Sequence, residues 1–264
     1  MRLVDSHGHL QADRFDDDVE AVVAASRSAG LERILVPGWN GWSSAAAIAL
    51  TDRFAWLDAA VGVHPHDAAR VDDAEWAVIA RSAVDPRVVA IGETGLDYDR
   101  VFSPVLAQLA NLRRNLVLAA ETGKPAILHC RSRAGERDAQ DALLAELRAL
   151  GADAPRVVIH SFSGPVDYAE AMLELGATIS FSGLSFRPGE EATADVARLV
   201  PAERLLVETD APFLAPPGAP RSRNTPEWVR ITAAWLAELR ADEPATFGDR
   251  LVATYDRVFA RPER

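Results

Sequence analysis

The sequence is poor in three features that would each indicate a particular class of protein. It has one cysteine, Cys130, so no disulfide can form within the chain. No apolar run is long enough to span a membrane. The first residues also lack the pattern of a secretory leader, because Arg2 is followed by only two apolar residues before Asp5. We therefore expect a cytoplasmic protein that makes no membrane contact.

The sequence also has no excess of positive charge. The formal net charge is -11 at pH 7. An acidic surface repels polyanions, which argues against a protein that coats DNA or moves along it processively. The charge still allows a small local basic site.

The pattern of apolar runs predicts a closed barrel. The chain has 264 residues, and eight short apolar runs alternate with amphipathic, helix-like segments. This pattern predicts a single-domain (β/α)8 TIM barrel over residues 1–264. The alternative, an open doubly wound sheet, usually carries a glycine-rich turn after its first strand, where this chain has His7-Gly8-His9. The predicted strands cover residues 2–5, 33–37, 56–62, 88–91, 125–128, 156–159, 177–181 and 205–207.

The histidines follow the predicted strands. His7 and His9 are two residues apart, which places both side chains on one face of an extended segment. The other four histidines also come at strand ends, and we expect none of them on a helix. In a (β/α)8 barrel the chemistry takes place at the carboxyl ends of the strands. This distribution indicates a metal site, since histidines of the core or the surface have no reason to follow it.

The residue types at these strand ends suit divalent cations. Imidazole nitrogens and carboxylates together bind borderline and hard metal ions. Six candidate ligands exceed the needs of one tetrahedral ion, but they suit two ions roughly 3.5–4 Å apart that share one carboxylate. The candidate ligands are His7, His9, Glu93, His129, His160 and Asp210.

Several neighbouring residues have two interpretations from sequence alone. His64 and His66, separated by Pro65, contact the substrate or the ligands, or form structural hydrogen bonds. Asp5 orients the first ligand pair or closes the barrel floor. Cys130 is better explained as a small buried side chain than as a nucleophile, and Glu208 as a support for the ligands.

Taken in order, the motifs resemble one known family. They are VDSHGHL, GVHPH, AIGETGLDY, a His-x-Arg at residues 129–131, HSFSG, ISFSG, ETDAPFLAP and an Arg-Asn-x-Pro at residues 223–226. From residue 4 to about residue 259 the chain resembles the TatD-type metal-dependent deoxyribonucleases, which belong to the wider group of amidohydrolase-like barrels.

The resemblance implies a two-metal site and a reaction. Asp210 would accept a proton from the attacking water, and Glu93 would bridge the ions. The implied activity is phosphodiester hydrolysis, as a 3′ to 5′ exonuclease at a DNA end, with Mg²⁺ as the usual ion; the ligand types alone suit Zn²⁺ or Mn²⁺ equally well. One ion would be held by His7, His9, Glu93 and Asp210, and the other by Glu93, His129 and His160.

The chain departs from the family pattern in its loops. Ser161 replaces a cysteine, and Ser222 and Thr225 replace a lysine and a glutamate. Arg133 lies in a turn that is one residue longer, and Arg187 stands in place of a lysine. These changes affect the expected substrate contacts rather than the expected ligands, so they leave the choice of substrate open.

Arginines and aromatic residues near the predicted barrel mouth are candidates for binding a substrate. Arginine side chains suit phosphate oxygens, and aromatic rings can stack on bases. Of the basic candidates, which include Arg133, Arg187 and Arg221, we expect Arg131 and Arg223 to bind substrate, together with His64 and His66. The candidate stacking residues are Trp39, Trp42, Phe162 and Phe186.

Three functions therefore compete. The first is a cytoplasmic phosphodiester hydrolase that acts on a DNA end. The second is an amidohydrolase-like enzyme for a small ester, lactone or amide, which the acidic charge and the lost lysine favour slightly. The third, a non-catalytic interaction protein, is disfavoured because such a protein has no use for buried, uncompensated histidines and carboxylates. No heptad pattern is present, so we expect a monomer without an obligate protein partner.

Overall fold

Eight parallel strands in chain order form the sheet of the computed structural model, which describes residues 1–260. The ends of the sheet meet, because Ser6 donates from its backbone N–H to the Val207 carbonyl at 3.0 Å. This closure confirms the predicted (β/α)8 barrel, and the open doubly wound alternative is wrong. The strands are β1 (Leu3–Asp5), β2 (Leu31–Pro37), β3 (Leu57–Val61), β4 (Val88–Asp97), β5 (Ala126–Arg131), β6 (Val157–Ile159), β7 (Thr178–Phe181) and β8 (Leu205–Val207).

Helices connect the strands on the outside of the barrel, and local signals set their ends. Asn40 and Ser43 form a reciprocal capping box at the start of α2, and Gly123 ends α4 in the left-handed conformation. The described helices are α1 (Val19–Ser28), α2 (Gly41–Arg53), α3 (Asp73–Ser82), α4 (Val105–Thr122), α5 (Asp138–Leu150), α6 (Val166–Glu174), α7 (Thr193–Leu199), α8 (Val229–Leu239) and α9 (Pro244–Val258).

A search of the helices within residues 1–260 finds none that combines the length and the apolar character needed to cross a bilayer.

The strands β4 and β5 are longer than predicted, and their additional residues position the site. All ten residues of β4 are buried, and its outer half pairs with β5 through Gly95 opposite His129 and Asp97 opposite Arg131. The apolar run ends at Ile91, so the polar residues that follow it were predicted to lie after the strand. Glu93 and His129 instead lie within hydrogen-bonded strands, which fixes their side chains more firmly than a loop would.

Glycine permits the close approach of β4 to β5. Gly95 has a φ of +139°, and a Cβ at this position would overlap the carbonyl oxygen of His129. Gly92, with a φ of +142°, would meet the Ile127 carbonyl in the same way at 2.7 Å. The two strands can therefore approach this closely only because these positions carry no side chain.

We expect Gly95→Ala to destabilise the protein by more than about 3 kcal/mol, because strain at positive φ adds to a backbone overlap. Chemical denaturation measures this loss. Gly123→Ala is the matched control: its φ is +67° but a Cβ there meets nothing within 4 Å, so only the strain of about 1–2 kcal/mol applies. Equal losses in the two variants would contradict the overlap.

Candidate metal centre

The junction between β1 and β8 brings together residues from the two ends of the barrel sequence. Asp210 donates its backbone N–H to the His7 carbonyl at 2.8 Å, and His9 donates its own to the Ala211 carbonyl at 2.7 Å. Asp5 strengthens this junction, since one carboxylate oxygen accepts from the backbone N–H groups of both His7 (3.2 Å) and Thr209 (2.9 Å). Asp5 thus orients the first ligand pair through the main chain.

The first cluster of donor atoms forms at this junction and is called the β1–β8 cluster. The Nε2 atoms of His7 and His9 lie 3.2 Å apart. Oε2 of Glu93 is 3.2 Å from Nε2 of His7 and 3.6 Å from Nε2 of His9. Oδ1 of Asp210 lies 3.8 Å and 3.4 Å from the same two nitrogens.

The second cluster, called the β5–β6 cluster, uses the other oxygen of the same carboxylate. Oε1 of Glu93 lies 3.0 Å from Nε2 of His160 and 3.2 Å from Nδ1 of His129. These two ring nitrogens are 3.3 Å apart. Glu93, which is 3% exposed, therefore presents one oxygen to each cluster.

The donor spacing fits divalent cations. Ligands about 2.1 Å from a common tetrahedral ion are about 3.4 Å from one another. The distances from each ring nitrogen to the carboxylate oxygens and to the other nitrogen of its cluster lie between 3.0 and 3.8 Å, and all the donors are imidazole nitrogens or carboxylate oxygens. Each cluster thus has the donor types and the spacing that a divalent ion requires.

Carboxylates outside the clusters orient two of the imidazoles. His160 donates from Nδ1 to Oε1 of Glu208 at 2.9 Å, which directs its Nε2 towards Glu93. Nε2 of His129 faces Asp97 at 3.4 Å, and its Nδ1 faces Glu93 at 3.2 Å. Both rings are therefore oriented as ligands by a carboxylate behind them.

His64 has the opposite orientation. Its Nδ1 accepts a hydrogen bond from the backbone N–H of His66 at 3.1 Å, so the proton resides on Nε2, which donates to Oε1 of Glu93 at 3.2 Å. Burial lowers the pKa of His64 to about 4, and the ring is neutral at pH 7. His66 lies in a 3-10 turn, contrary to the expectation that no histidine is helical, and donates to Asp97 at 2.7 Å.

The charges in this region compensate one another. Burial raises the pKa of Glu93, but the nearby His64, His160 and His7 outweigh burial and hold it well below its usual value. Burial likewise opposes ionisation of Glu208, yet the neighbouring His160 lowers its pKa to about 2. Both carboxylates are therefore ionised at neutral pH.

Two arginines expected to bind substrate are already engaged by carboxylates. Nε of Arg131 lies 3.0 Å from Asp99. Arg223 contacts both oxygens of Asp18 at 2.7 and 2.8 Å and lies over the Phe15 ring.

Some expectations for the surrounding residues require correction. Phe162 is 1% exposed and packs against Tyr168, so it cannot stack on a ligand; Phe186 packs against Trp235. Burial raises the pKa of the Cys130 thiol to about 12, in agreement with a packing role.

Sequence reasoning assigned no role to two positioning residues. Asp97 was visible only as a polar residue after a predicted strand, but it contacts His66 and His129. Asn224 is fully buried and donates to the carbonyls of Thr209 and Phe213, which fixes the segment that carries Asp210. Its place in the Arg-Asn-x-Pro motif of the long loop was the available signal.

We expect Glu208→Gln to weaken metal binding by about 10- to 100-fold, because the amide loses the charge that holds the Nδ1 proton of His160. Metal titration of chelator-treated protein measures the affinity. The matched control is Glu146→Gln, which alters an ion pair with Arg113 on the outer helices. An unchanged affinity in Glu208→Gln would contradict this orienting role.

Comparisons with known proteins were consistent with this geometry. The model of the family described as "TatD related DNase" matches residues 4–260. A 3′-5′ ssDNA/RNA exonuclease TatD from Erwinia billingiae is 36% identical over 263 residues, covering 96% of this chain and 97% of that protein. An uncharacterized metal-dependent hydrolase, YabD, from Bacillus subtilis is 33% identical over 238 residues, covering 90% and 91%. The crystal structure of YjjV, a TatD homologue from Escherichia coli K12, has a TM-score of 0.87 at 31% identity and covers 99% of both chains.

Proposed function

The chain belongs to the TatD-related DNase family of metal-dependent hydrolases, and from this premise we propose that it removes nucleotides from the 3′ end of single-stranded DNA. The proposal rests on the placement of Glu93, whose two oxygens face the two donor clusters. We further propose that two divalent ions, Mg²⁺ by family resemblance, occupy these clusters. His7, His9 and Asp210 would hold one ion, His129 and His160 the other, and Glu93 both.

The two ions, when bound, would supply a nucleophile at neutral pH and neutralise charge that develops on the phosphorus centre. The protein positions the reacting groups around them. Asp210, whose side chain is 14% exposed, is the candidate to accept a proton from the attacking water. His64 holds the bridging carboxylate in place through its N–H donor.

Substrate contacts follow from the groups around the clusters. Arg131, with a side chain 44% exposed, can reach a phosphate oxygen while it remains beside Asp99. His66, 25% exposed and fixed by Asp97, lines the same region. We propose both as substrate contacts, whereas Arg223 would act mainly by holding its loop to Asp18.

A second candidate function is hydrolysis of a small ester, lactone or amide. The pairing of Arg131 with Asp99 favours it, because this pairing reduces the positive charge available to a polyanion. The metal chemistry would be the same, since the ions would polarise a carbonyl instead of a phosphoryl group.

The decisive experiment uses a short 5′-labelled single-stranded DNA. Chelator-treated protein is supplied with Mg²⁺, Mn²⁺ or Zn²⁺ beside Glu93→Ala, and the metal content of both proteins is measured. We expect stepwise shortening from the 3′ end with wild type and a loss of more than about 1,000-fold in Glu93→Ala, because removing the shared carboxylate disrupts both clusters.

The metal content separates the possible failures. Wild-type protein that binds two ions per chain but shortens no DNA would overturn the exonuclease proposal and favour the small-substrate hydrolase. Binding of a single ion would overturn the bridging role of Glu93. A Glu93→Ala variant that retains full activity would overturn the whole assignment of the site.

A further inference from the structure

Four aromatic side chains surround the two donor clusters, and we propose that they are base-stacking platforms for an unpaired strand end. This inference rests on the proposed nuclease function and specifies how the substrate is held. Trp39, Trp42 and Phe213 form the β1–β8 platform, and Phe102 forms the β4 platform. The occupant is the terminal pair of nucleotides, with the scissile phosphate on the clusters and one base on each platform.

The β1–β8 platform contacts a candidate ligand directly. Trp39 meets the His9 ring edge to face with centroids 5.2 Å apart, and Phe213 meets the same ring at 6.2 Å. Trp42 extends the surface, with its centroid 5.9 Å from that of Trp39. Trp42 is 61% exposed and Phe213 is 51% exposed, so aromatic surface remains open to a ligand.

The β4 platform lies in a different sector of the barrel mouth. Phe102 is 59% exposed, and its ring is 4.7 Å from that of His66, which in turn neighbours His129. One platform thus adjoins the β1–β8 cluster and the other adjoins the β5–β6 cluster. A phosphate between the clusters would have an aromatic surface on either side.

These exposed rings belong to anchored segments. Beside Phe102, Ser103 donates its hydroxyl to the His66 carbonyl at 2.8 Å, and Arg100 donates its backbone N–H to Asp97 at 2.9 Å. The main chain of Phe213 is held by Asp210 at 2.8 Å and by Asn224 at 2.7 Å. Because the main chain beside each ring is already held, little backbone freedom is lost when a ligand covers the ring, which favours binding.

The charges around the mouth favour stacking over electrostatic attraction. Arg131 and Arg223, the expected phosphate contacts, are paired with Asp99 and Asp18. The chain as a whole carries a formal charge of -11. Stacking is tolerant of base sequence, because every base has a π-face. Such a site suits a few nucleotides at a strand end and disfavours long duplexes.

The test compares single-stranded oligonucleotides with a base at every position against oligonucleotides that carry an abasic tetrahydrofuran residue at the 3′-terminal or the penultimate position. We expect the abasic substitutions to raise the KM of wild type about 5- to 20-fold each. Phe102→Leu should raise the KM for the complete substrate by a similar factor, with kcat nearly unchanged. It should have no further effect when the abasic residue faces Phe102.

Matched variants separate stacking from general apolar contact. Trp42→Leu and Phe213→Leu should also raise the KM for the complete substrate, but they should have no further effect when the abasic residue faces the β1–β8 platform. Trp42→Phe and Phe102→Tyr should retain the wild-type KM. The remote control is Val84→Ala, which alters an exposed apolar residue between α3 and β4, at the opposite end of the barrel. Metal content is measured for each variant to confirm that the clusters are intact.

The dependence on salt provides a second readout. If stacking dominates, log KM should rise with log salt concentration with a slope of about 1–2, which corresponds to few phosphate contacts. A slope above about 4, or a wild-type KM that is the same for abasic and complete substrates, would overturn the stacking inference. Absence of cleavage of any oligonucleotide would instead overturn the proposed nuclease function on which the inference rests.

Discussion

The rest of the site depends on one constraint, which is that the buried Glu93 carboxylate presents one oxygen to each donor cluster. One side chain faces two clusters only if its strand extends past the barrel rim and lies close to its neighbour. The glycines at positions 92 and 95 allow β4 to run close against β5. Packing and chemistry are therefore linked at this strand, because the same close approach places Glu93 between His129 and the two imidazoles that follow β1.

Burying several imidazoles and carboxylates together is costly unless opposite charges and hydrogen bonds compensate for the lost hydration. Here the carboxylates are arranged in two layers. Glu93 lies among the ring nitrogens that face inward, whereas Glu208 and Asp97 lie behind the rings of His160 and His129. The outer layer orients these two rings, so that their inner nitrogens face the Glu93 carboxylate.

The sequence predicted the barrel well, because short apolar runs at regular spacing define the strands. It also located the histidines, since the carboxyl ends of parallel strands converge. The extension of β4 and β5 beyond their apolar runs was not predictable from hydropathy, because the added residues are mostly glycines and polar or charged residues that pair through their backbones. The ion pairs of Arg131 and Arg223 were equally unpredictable from sequence, since Asp99 and Asp18 come from other segments of the chain. Phe162 was a stacking candidate because it follows a predicted strand, whereas the exposed rings of Phe102 and Phe213 depend on how two loops are anchored.

The junction of β1 with β8 determines when the β1–β8 cluster can form during synthesis. His7 and His9 emerge early in synthesis, and Asp210 emerges only near its end, so the β1–β8 cluster cannot exist on a nascent chain. An ion that binds this cluster selects the closed ring over every partly folded form, in proportion to its affinity. Hydrolytic capacity would then appear only when the last strand docks, and a ribosome-bound fragment would be harmless to nearby nucleic acid.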